Sequence, residues 1–246
     1  LFLSLFVIVI MQKDLGTGVA LIAIVLSQLV IAGVSGRKLF AIVAVIVALG
    51  VMSILVAPHR LARMATFLGD GSEAGNYHIE QAAIALGSGG FFGRGLGQSI
   101  QAFGWLPMAI HDSIFAIIGE MFGFFGVIIL ILLIAFLLKR IIDKVDFLEN
   151  AYLRLIVAGV FGWLAAHVVL NIGAMTHIIP LTGITLPLVS FGGTSMLFIM
   201  SGLGLVFGVS RYTVHRKIKE QEGGDHENPL RGRRVGRSYY ANRSGR

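Results

Sequence analysis

Residues 113–138, SIFAIIGEMFGFFGVIILILLIAFLL, carry a single ionisable side chain, Glu120. About 20 consecutive apolar residues are needed to cross the hydrocarbon layer of a bilayer as a helix. No water is available there to satisfy backbone N–H and C=O groups, so a helix that bonds within itself is one of the few ways across. Comparable runs recur at residues 15–34, 39–57, 151–175 and 190–210, with a partial one at 1–11. The chain of 246 residues is 56% hydrophobic and 13% charged, where soluble domains carry about 25% charged residues. This pattern excludes a soluble globular enzyme, a disordered chain and a fibrous protein. It predicts an all-α, polytopic transmembrane helix bundle. The lack of cysteine excludes disulfides, thiolate metal sites and cysteine nucleophiles. Leu1 opens inside an apolar run with no initiator Met and no basic n-region, so the start is expected to be an internal cut and not a signal peptide.

Charge predicts the topology. Residues 1–210 hold 10 Lys/Arg and 9 Asp/Glu, whereas residues 211–246 hold 10 Lys/Arg and 4 Asp/Glu. The basic excess therefore belongs to a polar tail, expected to be disordered, and not to a nucleic-acid surface. Arg37, Lys38, Lys139, Arg140, Lys144, Arg154 and the tail share one side of the membrane, with 16 of the 20 basic residues. By the positive-inside rule that side is cytoplasmic, and the segment 58–112 is external. The tail reads as a topology anchor, or as a contact for anionic lipid or a partner.

The external segment 58–112 is far longer than a simple connector, and loops beyond about 15 residues are commonly functional or disordered. Ile79, Ala82, Ala83 and Leu86 form a helix-spaced apolar stripe. They predict one short amphipathic or re-entrant helix packed on the bundle at the membrane surface, broken at Gly87-Ser88-Gly89-Gly90.

Few side chains in this apolar chain offer chemistry. Gly93-Arg94-Gly95-Leu96-Gly97 looks like a phosphate loop, yet no strand precedes it. Its glycines read as tight turns, or as a place where backbone N–H groups and Arg94 meet a phosphate. Asp112 stands where the external segment meets the 113–138 span. It reads either as an N-cap or as a surface carboxylate that acts as a base. Glu120 lies two turns further on, and an acid within a span is costly enough to imply an interior partner or a functional role. His167 and Asn171 share one helical face and read as interior polar groups. No His/Asp/Glu spacing points to a metal cage.

Four ordered motifs carry a family resemblance. Met11-Gln12-Lys13-Asp14-Leu15-Gly16-Thr17 resembles the Q-P-D-L-G-T segment of the shape, elongation, division and sporulation (SEDS) proteins of the FtsW/RodA type. Gly75-Asn76-Tyr77-His78-Ile79-Glu80-Gln81, followed by Gly95-Leu96-Gly97-Gln98-Ser99, is similar to their outer-loop pattern. Leu106 to Glu120 (LPMAIHDSIFAIIGE) resembles their L-P-E-A-H-T-D-F-I-F-A-x-x-G-E. Gly183 to Ser195 (GITLPLVSFGGTS) is similar to their G-x-T-L-P-x-x-S-Y-G-G-S-S. The chain departs from these patterns at Lys13, Met108, Ile110-His111 and Thr182.

The resemblance implies the C-terminal half of a ten-span enzyme of the bacterial inner membrane, which would be inactive as this piece alone. Its activity would be polymerisation of lipid II into glycan strands in division or elongation, with release of undecaprenyl diphosphate. Asp112 matches the catalytic aspartate. Arg60, Arg63 and Arg94 are candidate diphosphate contacts or else ordinary surface charges, and Glu120, Asn171 and Ser190 are candidate substrate-site residues. A divalent cation such as Mg²⁺ or Mn²⁺ would share the diphosphate's charge. The implied partners are membrane lipids, a single-span transpeptidase (a class B penicillin-binding protein) and divisome proteins. A lipid II flippase and a non-catalytic scaffold are the alternative functions. The branch is finely balanced, with Gly183-Ile184-Thr185-Leu186-Pro187 favouring the division type and Thr182 the elongation type.

Overall fold

A computed structural model describes residues 15–56, 58–69, 73–103, 105–106 and 110–226. The partial span expected at 1–11, most of the first motif and the last part of the tail lie outside them. The elements are α1 (Leu15–Ile31), α2 (Gly36–Val56), α3 (Pro58–Leu68), α4 (Glu73–Ser88), α5 (Ile114–Ile142), α6 (Ala151–Met175) and α7 (Gly193–His226). Single 3₁₀ turns occur at Gln101–Phe103 and Val145–Phe147. The described residues are thus helical with connecting loops. Among the described residues, four helices are long and apolar enough to cross a membrane: α2, α5, α6 and the Gly193–Arg211 part of α7.

Two compact units are present, residues 1–206 and 207–246. In the first, α1 lies against α6 through small residues. Added Cβ atoms at Gly159 and Gly162 would meet Gln28 and Ser27 of α1, and Ser27 Oγ donates to the Ala158 carbonyl at 2.7 Å. Close backbone approach at small residues, with a hydroxyl bonded across, is how helices associate where lipid removes the hydrophobic drive. α2 has no buried residue and is long and apolar enough to cross a membrane.

The segment 58–112 differs from expectation in holding two helices and not one. α3 begins at Pro58, a residue whose fixed φ and missing N–H suit a first helical position. α4 packs on the first half of α5, where Ala82 and Ala85 meet Phe115, Ala116 and Ile117 in a core completed by Leu106, Met175 and Leu186. In the second unit, α7 continues to His226 and so overruns the disordered tail expected from 211. RYTVHRKIKEQE, residues 211–222, has no proline or glycine and contains several good helix formers.

α5 is broken at Gly123, whose φ of 64° and ψ of −164° are not helical. The loop after α4 fills that break. Arg94 N–H donates to the Glu120 carbonyl at 2.9 Å, and Gly95 N–H to the Met121 carbonyl at 3.0 Å. In return, Phe124 and Phe125 N–H donate to the carbonyls of Gly90 and Phe91. Backbone groups freed by a helix break must find partners inside a membrane protein, and here the glycine-rich loop supplies them. Gly93 at φ +80° and Gly123 have no room for a Cβ, since each would strike the other's strand of backbone.

Candidate functional site at the head of α5

α5 starts at Ile114, and Ser113 is its N-cap residue, with no side-chain capping bond. Asp112 is therefore one residue too early to be the cap, which removes the capping role considered for it. The short segment carrying it is held from two sides, by Phe191 and by Asn171. Phe191 N–H donates to the Ile110 carbonyl at 2.9 Å, and His111 Nδ1 lies 2.7 Å from the Phe191 carbonyl. Asn171 Nδ2 on α6 donates to the carbonyls of Asp112 and Ile184, both at 2.7 Å. The Asp112 carboxylate is left unburdened by this scaffolding and half-buried.

Asp112 lines a cavity of about 320 Å³ with Ala62, Arg63 and Thr66 of α3, His78 and Ile79 of α4, and Leu181 and Gly183. One carboxylate and one guanidinium thus face the same hollow. Arg63 Nη1 also reaches the Leu181 carbonyl at 3.4 Å, tying α3 to the loop after α6. His78 Nε2 is 2.8 Å from Ser113 Oγ, and Ser113 Oγ donates to Asp112 Oδ1 at 3.4 Å. Burial lowers the pKa of His78 below its ordinary 6.5, with the negative charge of Asp112 pulling the other way.

The remaining sequence candidates lie elsewhere. Arg60 is buried and turned back to Ser53 of α2, with Nη1 at 2.7 Å from its Oγ. Ser190 is buried and accepts the Leu186 N–H at 2.8 Å, closing the turn that follows Pro187. Glu120 is fully buried and accepts from Ser99 Oγ at 2.5 Å, Ile100 N–H at 2.9 Å and Gln101 N–H at 3.2 Å. Arg94 lies 3.7 Å from the same carboxylate. The two therefore fasten the 94–101 loop to α5, and the N–H groups of Arg94 and Gly95 are spent on helix carbonyls and not on a phosphate. Asn171 acts on Asp112 through the backbone.

Sequence reasoning passed over His78 and Ser113. They are 35 residues apart, so no local spacing joins them; only the packing of α4 on α5 does. As for a cation, no group of three or more His, Asp or Glu side chains that would hold one exists among the described residues. Asp112 is the one carboxylate among the residues lining the cavity. These residues alone do not form a cage for Mg²⁺ or Mn²⁺.

A polytopic helical membrane protein of this kind has known counterparts. The family model of the FtsW/RodA/SpoVE cell cycle proteins matches residues 1–215. The chain belongs to this SEDS family. It is 36% identical over 219 residues to stage V sporulation protein E of Bacillus subtilis, covering 85% of this chain and 58% of that protein. It is 34% identical over 215 residues to a probable peptidoglycan glycosyltransferase FtsW of Thioalkalivibrio sulfidiphilus, covering 84% and 53%. Among solved structures, a peptidoglycan synthase complex that coordinates polymerization and crosslinking matches with a TM-score of 0.66 at 25% identity, over 83% of this chain and 58% of that one. A mutant of the rod shape determining protein RodA of Thermus thermophilus matches with a TM-score of 0.56 at 27% identity, over 84% and 53%. The chain thus spans a little over half the length of the curated relatives it matches.

Proposed function

We propose that these residues supply the catalytic aspartate of a peptidoglycan glycosyltransferase that polymerises lipid II. In this reaction the 4-hydroxyl of the acceptor's GlcNAc attacks the anomeric carbon of the donor's MurNAc. A glycosidic C–O bond forms, the C–O bond to the diphosphate breaks, and undecaprenyl diphosphate leaves. Asp112 accepts the hydroxyl proton as general base. Arg63 offers positive charge to the departing diphosphate. The observation that carries this reading is the shared cavity, where the carboxylate and the guanidinium stand among few other polar groups.

The external side suits lipid-linked sugars, whose head groups meet the enzyme at the membrane surface. The orientation follows from the basic residues: the 58–112 segment outside and the chain end in the cytoplasm. Cysteine scanning with an impermeant thiol reagent tests it. Leu96→Cys should label in intact cells and Arg37→Cys should not; the reverse pattern would overturn the orientation.

The partner we infer is a single-span transpeptidase, in keeping with the synthase complex that the fold matches. The deciding experiment reconstitutes the complete protein in liposomes and follows glycan-chain growth separately from lipid II translocation. Chain growth is the expected result. Translocation without chain growth would support a transporter, and complementation by a protein lacking the Asp112 carboxylate would support a scaffold.

A further inference from the structure

The catalytic reading leaves unused the buried contacts directly behind Asp112. Ser113 is fully buried. Its hydroxyl lies between His78 Nε2 at 2.8 Å and Asp112 Oδ1 at 3.4 Å. The other carboxylate oxygen, Oδ2, is the one directed at Gly183, 4.0 Å from where a Cβ on that glycine would sit. Gly183 lines the cavity together with Asp112 and His78. The two oxygens of one carboxylate therefore have different surroundings: Oδ1 is tethered toward α4, and Oδ2 is offered toward the Gly183 wall.

We propose that His78 is a positioning residue for Asp112, acting through the Ser113 hydroxyl to fix which carboxylate oxygen faces the incoming sugar hydroxyl. This inference rests on the glycosyltransferase reading above.

With Ser113 Oγ–H donating to Asp112 Oδ1, the relay has the Ser113 oxygen accept from His78 Nε2–H, one of the two roles open to that nitrogen. That requires only the neutral ring with its proton on Nε2. A carboxylate with one oxygen engaged loses rotational freedom about its terminal torsion. The free oxygen then meets a bound hydroxyl in a narrower range of angles, and orientation of this kind is a direct contribution to rate.

Protonating His78 would change the charge at this site and not only its hydrogen bonds. The ionisable groups around it are Asp112 from the segment before α5, Arg63 from α3 across the cavity, and Tyr77 and Glu80 on its own helix. The lining residues Leu181 and Gly183 add none. An imidazolium would face Arg63 unfavourably and hold the Asp112 carboxylate by charge, in competition with the hydroxyl proton that the carboxylate must take. Activity should accordingly fall on the acid side as His78 titrates.

The test is the pH–rate profile of glycan polymerisation by the complete protein and its His78→Gln, Ser113→Ala, Ser113→Thr and doubly substituted (His78→Gln with Ser113→Ala) forms. Gln retains a donor for Ser113 and does not titrate. His78→Gln should lose the part of the acid limb that His78 adds to that of the Asp112 base itself, and Ser113→Ala should lower kcat about tenfold, the scale of one hydrogen bond, with KM nearly unchanged. The double substitution should be no worse than Ser113→Ala alone, because both act along one line. Ser113→Thr, which keeps the hydroxyl, should restore kcat. A wild-type acid limb in His78→Gln, or losses that multiply independently in the double substitution, would overturn the inference. Asp112→Asn run in parallel separates the two levels. If it is inactive while His78→Gln and Ser113→Ala behave like wild type, only the positioning role falls; if it stays active, the catalytic reading falls too.

Discussion

The Asn171 amide on α6 grips the main chain of Asp112: Nδ2 donates to its carbonyl oxygen at 2.7 Å and to that of Ile184 at the same distance. One buried side chain thereby joins the segment before α5, the loop after α6 and α6 itself. The contact leaves the Asp112 carboxylate untouched, so its role is to hold the residue's place and not to tune its chemistry.

Asn171→Ala should therefore act through position. Removing the amide leaves two carbonyls without this donor in a buried setting, at about 1–3 kcal/mol for each unsatisfied group. We expect a lower unfolding temperature in detergent and a loss of polymerisation that exceeds the loss of folded protein. Thermal melting and activity per folded molecule, measured side by side, check this. Activity per folded molecule equal to wild type would detach Asn171 from the site.

Glu120 and Arg94 should respond unequally. Glu120 receives three donors within 3.2 Å in a fully buried pocket. Glu120→Gln turns one acceptor into a donor that faces donors, and should strongly destabilise the 94–101 loop. The Arg94 side chain is 38% exposed and 3.7 Å from the carboxylate, a geometry in which ion pairs contribute little. Arg94→Ala should be much milder. Limited proteolysis of this loop measures both, and equal susceptibility of the two variants would contradict the assignment of Glu120 as the anchor.

Some of this was legible in sequence and some was not, for physical reasons. Apolar runs and basic flanks report transfer into lipid directly, so the helices of α2, α5 and α6 could be read from composition. The break at Gly123 could not: GEMFGFFG reads as unbroken apolar helix, and only the loop at 90–95 supplies the backbone partners that make a break affordable there. Asp112 was conspicuous as an acid at a span boundary. The cap, however, is Ser113, and the residues that share the cavity with Asp112 or hold its main chain come from α3, α4, α6 and the 181–183 loop, at separations that no periodicity records. Arg63 and Arg60 look equivalent in sequence, yet only Arg63 lines the cavity, because a three-residue step on a helix moves a side chain along the face and toward a different neighbour.

The stability of the folded protein should depend on pH through His78. Its pKa in the folded protein lies below the ordinary 6.5, chiefly because of burial. The unfolded chain therefore binds more protons between the two values, and stability rises with pH across that interval. The contribution is fully present above about pH 6.5 and is lost progressively as pH falls through the interval. His78→Gln should flatten this dependence. Denaturation midpoints collected from neutral to mildly acidic pH will show it, and an unchanged slope in His78→Gln would assign the acid sensitivity to other groups.

Asp112→Asn should abolish glycan polymerisation by the complete protein while leaving its insertion and fold intact. The fold should survive because what holds this segment is main-chain bonding: the Asp112 carbonyl accepts from Asn171, and the Ile110 carbonyl from Phe191 N–H. Neither bond needs a charge. Ser113 already occupies the helix cap, so no capping interaction is lost, and an Asn side-chain oxygen can still accept from the Ser113 hydroxyl. The chemistry should not survive, because an amide takes up no proton from a sugar hydroxyl at useful strength. A positioned general base contributes about 10²–10⁴-fold in rate, so the residual activity should lie at least that far below wild type. Glu120 cannot take over, being buried and bonded to Ser99, Ile100 and Gln101. Lipid II polymerisation in liposomes at matched protein levels, with melting curves run alongside, measures both halves of the expectation. Near-normal chain growth would remove Asp112 as the base; a collapsed melting curve would show that the carboxylate carries structure that its visible contacts do not reveal.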